Sequence, residues 1–267
     1  MTESIHVRAA NDIFEQELLA KIARGEKIWS VVETPDEFRD ALVELLLIEK
    51  GCEGRGGENY LRYCLILAPT VEEAAFMAHI GIEELDHEAR VQRILESLGV
   101  QAKRTRHLYQ EKYILRIFQH PELFKSWAHV LMFNYLMDGA AGQQLAEFQK
   151  GPYGPWSMMI RAIEEEEQGH VEHGINGIMK WAETSRGLAE LQEALDDWWP
   201  LVMDVFGAPD AKSTRLALYR KYNFKQMSND EARTMFYTSI KPFLKKVGLY
   251  IPQTGEHDIS FPCFPVE

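Results

Sequence analysis

Two copies of Glu-x-x-His, far apart in the chain, are the residues whose types and spacing could do chemistry: Glu84-Leu85-Asp86-His87 and Glu167-Gln168-Gly169-His170. On a helix, residues three apart share a face, so each copy brings one carboxylate and one imidazole to a single point. Two such helices, with one further carboxylate from each of two others, make the ligand set of a di-iron or di-manganese centre in a four-helix bundle. Both copies fall on apolar stripes of helical period. The first stripe runs Ile80, Glu84, His87, Val91, Ile94 and Leu98; the second runs Ile160, Ile163, Glu167, His170, Gly174, Ile178 and Trp181. An acidic chain with 41 Asp and Glu and nine His carries the motif by chance often enough. A carboxylate on a buried face is costly without compensation, however, and two of them ask for cations.

The other two carboxylates are sought on the remaining long helices. Asp138 lies in the stripe Trp127, Leu131, Asn134, Asp138, Ala141, Leu145 and Phe148, with Gly139, Ala140 and Ala141 leaving room around it. A local break or a buried basic partner is the other use for such an Asp. The first long helix offers two candidates on one stripe: Leu42, Leu46, Glu49, Glu53, Gly56 and Tyr60. Helical phase does not choose between Glu49 and Glu53. The interval from Glu53 to Glu84 nearly matches that from Asp138 to Glu167, which favours Glu53, with Glu49 close behind. Glycines at 51, 54, 56 and 57 weaken regular helix there and let another backbone or a substrate approach. The expected metal and catalytic set is Glu53, Glu84, His87, Asp138, Glu167 and His170. Four carboxylates neutralise two divalent ions, and two imidazoles suit iron; manganese stays open on ligand type.

Several neighbours have two readings. Asp86 and Glu88 flank His87 and could orient its imidazole, or be solvated. His173 reads as a polar surface residue or a support to the ligands. Tyr135, three residues before Asp138, reads as an ordinary packed tyrosine. Trp127, Trp181, Trp198 and Trp199 read as core or interface aromatics. Lys103, Arg104, Arg106 and Lys112 form the local basic cluster, which balances an acidic chain or meets a phosphate-bearing cofactor tail.

The elements that must position these residues are nearly all helical in period. An opening helix is expected over Ala9 to Arg24. Thr34-Pro35-Asp36-Glu37 starts a second, reaching about Leu67 before Pro69 breaks it. Thr70 with Glu73 reads as a capping box opening a helix to Leu98, ended by Gly99. A shorter helix is expected around Glu111 to Gln119. His120-Pro121-Glu122 opens the next long one, to about Gly151. Breakers from Gly151 to Pro155 make a compact turn, and another long helix runs from about Trp156 to Thr184. Shorter helices packing outside the bundle fill Gly187 to Lys246, and the tail beyond Gly248 is expected to be extended. The whole reads as an all-α, ferritin-like four-helix bundle over about 36–185 with peripheral helices over about 187–267, in one domain.

Composition bounds the rest. Hydrophobic residues are 46% and charged ones 26%, a globular balance with material for a sizeable core. A net charge of −12 with no basic stripe argues against nucleic acid. No basic start followed by an apolar run suggests a secretory signal, and the longest apolar run, Tyr63 to Ala68, is too short for a membrane span. Cys52, Cys64 and Cys263, without Cys-x-x-Cys spacing, fit a reducing compartment, with the cytoplasm the expectation.

At these residues the chain resembles the phenylacetate-catabolic, ferritin-like di-iron monooxygenases. The resemblance covers about residues 40–255. It rests on Asp138-Gly139-Ala140-Ala141, Tyr153-Gly154-Pro155, the two Glu-x-x-His, Trp198-Trp199-Pro200, Phe206-Gly207-Ala208-Pro209-Asp210, Ser228-Asn229-Asp230-Glu231, and Gly248-Leu249 to Pro252. It implies a catalytic subunit, of the type that epoxidises phenylacetyl-coenzyme A, using two iron ions and O2. The expected substrate is an aromatic acyl-coenzyme A such as phenylacetyl-coenzyme A or a related compound. Electrons would come from a separate reductase, and a paralogous scaffold subunit in an oligomeric assembly is implied. The family has Asp at the position matched by Asp138. It also has a lysine one turn before the first Glu-x-x-His, where this chain has Ile80 beside His79. The Gly-rich stretch after Glu53 departs too, and both changes fall on the substrate side. The other class considered is a ferritin-like oxidase or ferroxidase that needs no thioester.

Overall fold

The computed structural model describes residues 2–32, 34–100 and 113–252, with side chains from Ile13 onward. Helix α1 (Thr2–Ala23) starts earlier than its period indicates and stops at Gly25, whose φ of +72° breaks the helix. Helix α2 (Asp36–Asn59) begins behind Pro35 with two acids in its first turn. It continues as a π-helical segment, Tyr60–Cys64, and one further turn, Leu65–Leu67. Helix α3 (Val71–Ser97) is capped by Thr70, whose hydroxyl accepts from Glu73 N. The expected capping box is only half made, because the Glu73 carboxylate turns instead to His173.

The next long helix starts later than expected. Pro121–Leu123 is a single 3-10 turn, and α4 (Trp127–Phe133) opens only after Ser126, whose backbone is extended. The stretch around Glu111 to Gln119 resolves into a 3-10 turn, Arg116–Gln119, with Glu111 and the basic cluster of Lys103, Arg104, Arg106 and Lys112 outside the described residues. A second π-helical segment, Asn134–Asp138, joins α4 to α5 (Gly139–Lys150). The Gly151–Pro155 breakers turn the chain into α6 (Gly154–Trp181). The region read as shorter helices includes two long ones, α7 (Ser185–Asp204) and α9 (Asn229–Val247), with short α8 (Leu216–Lys221) between. Pro200 hides the length of α7 from a period-and-breaker reading, since proline inside a helix signals a stop. The tail expected to be extended lies beyond the described residues after Pro252.

Helix α2 packs along α3, the α4–α5 helix packs along α6, and α3 meets α6 to join the two pairs. Helix α7 covers α4. Glycines allow the closest approaches. A Cβ on Gly57 would lie 3.0 Å from Gly81 O and 2.9 Å from Leu85 Cγ, and one on Gly174 would lie 2.7 Å from Tyr135 N. The Gly-rich run of α2 remains helical, with Gly56 and Gly57 turned to α3 and Gly51 to the Tyr113 carbonyl.

The core falls into two apolar clusters. One gathers Tyr60, Met77, Ile80, Leu131, Phe133 and Trp198; the other gathers Phe38, Leu42, Leu46, Val91, Leu95, Trp156 and Ile160. Along α2, α3 and α6, the polar residues singled out by the sequence fall between the two: after Leu46 and before Tyr60, after Ile80 and before Val91, after Ile160 and before Ile178. The bundle thus carries a buried acidic layer between two apolar ones.

Candidate metal centre

All six expected residues lie in that layer and are buried. Glu53, Glu84, His87 and Glu167 offer ligand atoms within 4.8 Å of one another. His87 Nδ1 lies 3.4 Å from Glu53 Oε2 and 3.2 Å from Glu167 Oε1. His170 Nδ1 lies 3.6 Å from Glu84 Oε1, 3.8 Å from Glu167 Oε2 and 4.0 Å from Asp138 Oδ2. Glu84 and Glu167 therefore sit centrally, with Glu53 and His87 on one side and Asp138 and His170 on the other.

The electrostatics of this cluster are unfavourable without a cation. Burial, together with Glu53, Glu167 and Asp138, pushes the Glu84 carboxyl well above the usual carboxylate range. Burial and the Glu167 and Glu53 carboxylates do the same to Asp138. Burial alone would lower the His87 imidazole, but Glu167 and Glu53 outweigh it and raise it to about 11. Among the described residues, no Lys or Arg is ion-paired with any of the four carboxylates. The inward nitrogens of both histidines, His87 Nδ1 and His170 Nδ1, are buried without a hydrogen-bond partner. Buried polar atoms are rarely left so. Four converging carboxylates and two unpartnered imidazole nitrogens form a donor set that fits two divalent metal ions.

The outer nitrogens are held by residues the sequence reading did not select. His87 Nε2 is 2.7 Å from Glu166 Oε2, and His170 Nε2 is 3.1 Å from Glu83 Oε2. Each outer carboxylate comes from the helix opposite its histidine, and each immediately precedes a Glu of the cluster. Asp86 and Glu88 do not orient His87: Asp86 pairs with Arg90, and Glu88 lies 2.8 Å from Lys50. The repeated pair Glu83-Glu84 and Glu166-Glu167, at one offset from each His, was the signal available.

Glu49 and Glu53 have different surroundings. Glu49 Oε2 accepts from the Trp156 indole, while Oε1 is buried without a partner. Burial, with Glu53 beside it, raises the Glu49 carboxyl well above its ordinary range. Glu53 faces His87, whereas Glu49 faces Trp156.

Tyr60 also touches the cluster. Its hydroxyl lies 3.0 Å from both Asp138 Oδ2 and Asn134 Oδ1. Both acceptors lie on the π-helical segment Asn134–Asp138, and such segments recur at functional sites. Asn134 Nδ2 reaches His173 Nδ1 at 3.2 Å, and His173 Nε2 reaches Glu73 at 2.7 Å. His173 is thus half-buried between Phe76 and Trp127 rings, not a third nitrogen ligand. Tyr135 bonds Ile240 O and packs on Phe243, away from the cluster.

A cavity of about 900 Å³ leads to the cluster. Glu53, Glu84, Asp138 and Glu167 wall its buried end; Phe118, Met137, Leu145, Phe148 and Phe206 line its middle; exposed Lys212, Thr214 and Arg215 mark its opening. Lys225, in the wall, is held by Asn229 Oδ1 at 2.7 Å, and burial brings its ammonium down to about 8.

The chain and its fold are similar to known proteins. The chain is 27% identical, over 251 residues, to one component of the 1,2-phenylacetyl-CoA epoxidase of Escherichia coli (strain K12), covering 91% of this chain and 78% of that one. Its fold is similar to that of a Synechococcus protein described as having aldehyde deformylating oxidase activity. The TM-score is 0.55 at 16% identity, over 80% of this chain and 93% of that one. The family described as phenylacetic acid catabolic protein matches residues 34–259, most of the chain, and it is to this family that the chain belongs.

Proposed function

We propose that the chain is the catalytic subunit of a di-iron, O2-activating monooxygenase that epoxidises or hydroxylates an aromatic acyl-coenzyme A, phenylacetyl-coenzyme A or a relative of it. The observation that carries this reading is an apolar cavity ending on four buried carboxylates and two unpartnered imidazole nitrogens. A ferroxidase needs an ion path, whereas this one is walled by Phe118, Leu145, Phe148 and Phe206 and suits an organic group.

Glu53 and His87 would hold one metal ion, and Asp138 and His170 the other, with Glu84 and Glu167 between them. Bound there, two iron ions supply the redox chemistry of dioxygen activation. Glu166 and Glu83 fix the tautomer and aim of the two imidazoles, leaving Nδ1 of each inward. The aromatic wall excludes water and packs the ring of the acyl group. Lys212 at the opening, with Lys225 deeper in the wall, offers positive charge to an anionic tail. Oxygen insertion consumes two external electrons, so a separate reductase belongs to the proposal, and the likeness to one component of an epoxidase supports a scaffold subunit beside it.

Iron reconstitution, followed by oxygen uptake with a chemical reductant and aryl-coenzyme A thioesters, tests it. About two irons per chain, with thioester-dependent oxygenated product, is the expected result. Two irons with oxygen uptake indifferent to every thioester would move the function to the oxidase or ferroxidase class. No iron bound would overturn the di-iron reading.

A further inference from the structure

We infer that Lys225 is a specificity-determining residue: its ammonium donates a hydrogen bond to the amide carbonyl nearest the thioester in the arm of a coenzyme A substrate. The inference rests on the acyl-coenzyme A reading and names what recognises the arm between the aromatic ring and the phosphates.

Lys225 is a buried cation with a donor to spare. It is 6% exposed and lines the cavity on the wall that it shares with Phe206 and Asn229. Its ammonium donates to Asn229 Oδ1 at 2.7 Å and to the Phe206 carbonyl at 3.3 Å, both neutral oxygens. An ammonium carries three donors, so one N–H remains, and among the described residues no carboxylate pairs with it. Glu147 and Asp210 act on it only through space, against burial and the Arg233 guanidinium, and it comes down to about 8. Both acids are committed elsewhere: Glu147 Oε1 accepts from the N–H groups of Gln226 and Met227, and Asp210 Oδ1 from those of Asn229 and Asp230. Asn229 Nδ2 donates to the Ala208 carbonyl at 2.7 Å, which fixes its Oδ1 toward Lys225.

Depth in the cavity selects the acceptor. Gln144 bonds the Val205 carbonyl, so the Phe206 wall stands about six residues past Asp138 on α5, and Glu147 stands nine past it. Lys225 therefore lies roughly 9–14 Å beyond the buried carboxylates along α5. With the aromatic ring against the carboxylates, an extended thioester places its cysteamine amide at that level. The phosphates lie beyond, toward Lys212 and Arg215 at the opening. An amide carbonyl is neutral, and one hydrogen bond compensates its burial, whereas a phosphate dianion there needs far more than one ammonium. The charge of Lys225 still favours those phosphates at longer range. An arm of plain hydrocarbon would leave the third N–H buried without a partner, and a site built to hydrogen-bond a ligand rejects the analogue that lacks the group.

The test is calorimetric binding to the full chain, iron-loaded and kept anaerobic, of phenylacetyl thioesters with four different arms. These are coenzyme A; N-acetylcysteamine, with the amide and no phosphate; its methylene ketone, with the carbonyl and no N–H; and a pentyl chain with neither. The expected result is that the native chain binds the amide and the ketone about 10–100-fold more tightly than the pentyl thioester, and that Lys225→Met abolishes this preference. The ligand series reads the native chain, so the test stands even if Lys225→Met fails to fold. Equal affinity of the native chain for all three short arms, or a preference surviving Lys225→Met, would overturn the inference. So would a loss in Lys225→Met confined to the coenzyme A thioester, which would make Lys225 a phosphate site. Each of these leaves the acyl-coenzyme A reading intact; binding of no thioester, coenzyme A included, would overturn both.

Discussion

Glu166 on one helix lies 2.7 Å from the outer nitrogen of His87 on another, and the relation is repeated in reverse by Glu83 and His170. Each Glu-x-x-His helix therefore brings a Glu and a His to the buried cluster and, from the residue just before that Glu, a carboxylate to the His of the opposite helix. Neither half is complete without the other.

Glu166→Gln and Glu83→Gln keep size and hydrogen bonding but remove the charge that raises imidazole basicity. Each should lower metal affinity by roughly 10–100-fold, with the helical fold intact. Anaerobic titration with ferrous or cobaltous ion measures it; unchanged affinity would mean that the centre does not need its two outer carboxylates.

Gly56 and Gly57 are adjacent on α2 but serve different ends. A Cβ at Gly56 would stand 3.1 Å from Glu84 Oε2, so Gly56→Ala should displace that carboxylate and weaken metal binding more than stability. A Cβ at Gly57 would press on the Gly81 carbonyl, so Gly57→Ala should cost about 1–3 kcal/mol of stability by overpacking. Denaturant unfolding and metal titration of both variants separate the effects; equal behaviour of the two would contradict the assignment.

Glu53 and Glu49 should respond oppositely. Glu53→Ala removes the carboxylate facing His87 and should lower the bound metal, whereas Glu49→Gln replaces a carboxyl that burial pushes above its ordinary range and that faces Trp156, and should leave metal stoichiometry unchanged. Metal content per chain after reconstitution decides it. Retention in Glu53→Ala with loss in Glu49→Gln would exchange their roles.

Metal-free chain should lose stability as pH rises. Glu84, Asp138 and His87 all have folded-state pKa values above their ordinary ones, so the folded chain binds more protons than the unfolded chain. Unfolding free energy then falls with pH. The stabilising contribution of each group is full below its ordinary value and is lost as pH rises through its folded one, which for His87 extends to about 11. Carboxyls with lowered values, such as Glu37 and Asp197, act in the opposite sense but are already ionised above about pH 5. Thermal melts with and without bound metal, between about pH 5 and about pH 8, should show Tm falling for the metal-free chain and a gap that widens with pH. A metal-free Tm that rises over this range would contradict the buried, repelling carboxylates.

The burial and convergence of the cluster were legible in the sequence because helical period and residue type suffice to place a polar residue on a buried face. Glu84, His87, Asp138, Glu167 and His170 follow from their stripes alone. Helical phase does not choose between Glu53 and Glu49, which share one stripe; the interval to Glu84 favours Glu53, and in the structure Glu49 meets Trp156, far along the chain, while Glu53 faces His87. Glu83 and Glu166 escaped for a related reason: a residue one position from a ligand points about 100° away along its own helix, and only the packing of α3 against α6 makes that direction useful. Asp86 and Glu88 attracted attention by nearness in sequence to His87, yet their partners are Arg90 and Lys50. The late start of α4 and the length of α7 were obscured by Pro121 and Pro200, whose usual meaning the tertiary contacts override.

The two π-helical segments, Tyr60–Cys64 and Asn134–Asp138, restrict how this chain can change. A π turn holds more residues than the α turns on either side. Deleting one residue would let the ordinary ladder close and leave the helix beyond nearly in place, because the wide turn absorbs the extra residue. What would move are the side chains of the turn itself. In the first segment these include Tyr60, and in the second Asn134 and Asp138, the two acceptors of its hydroxyl. A one-residue loss inside either segment would therefore re-aim the polar end of the cavity while sparing the bundle around it.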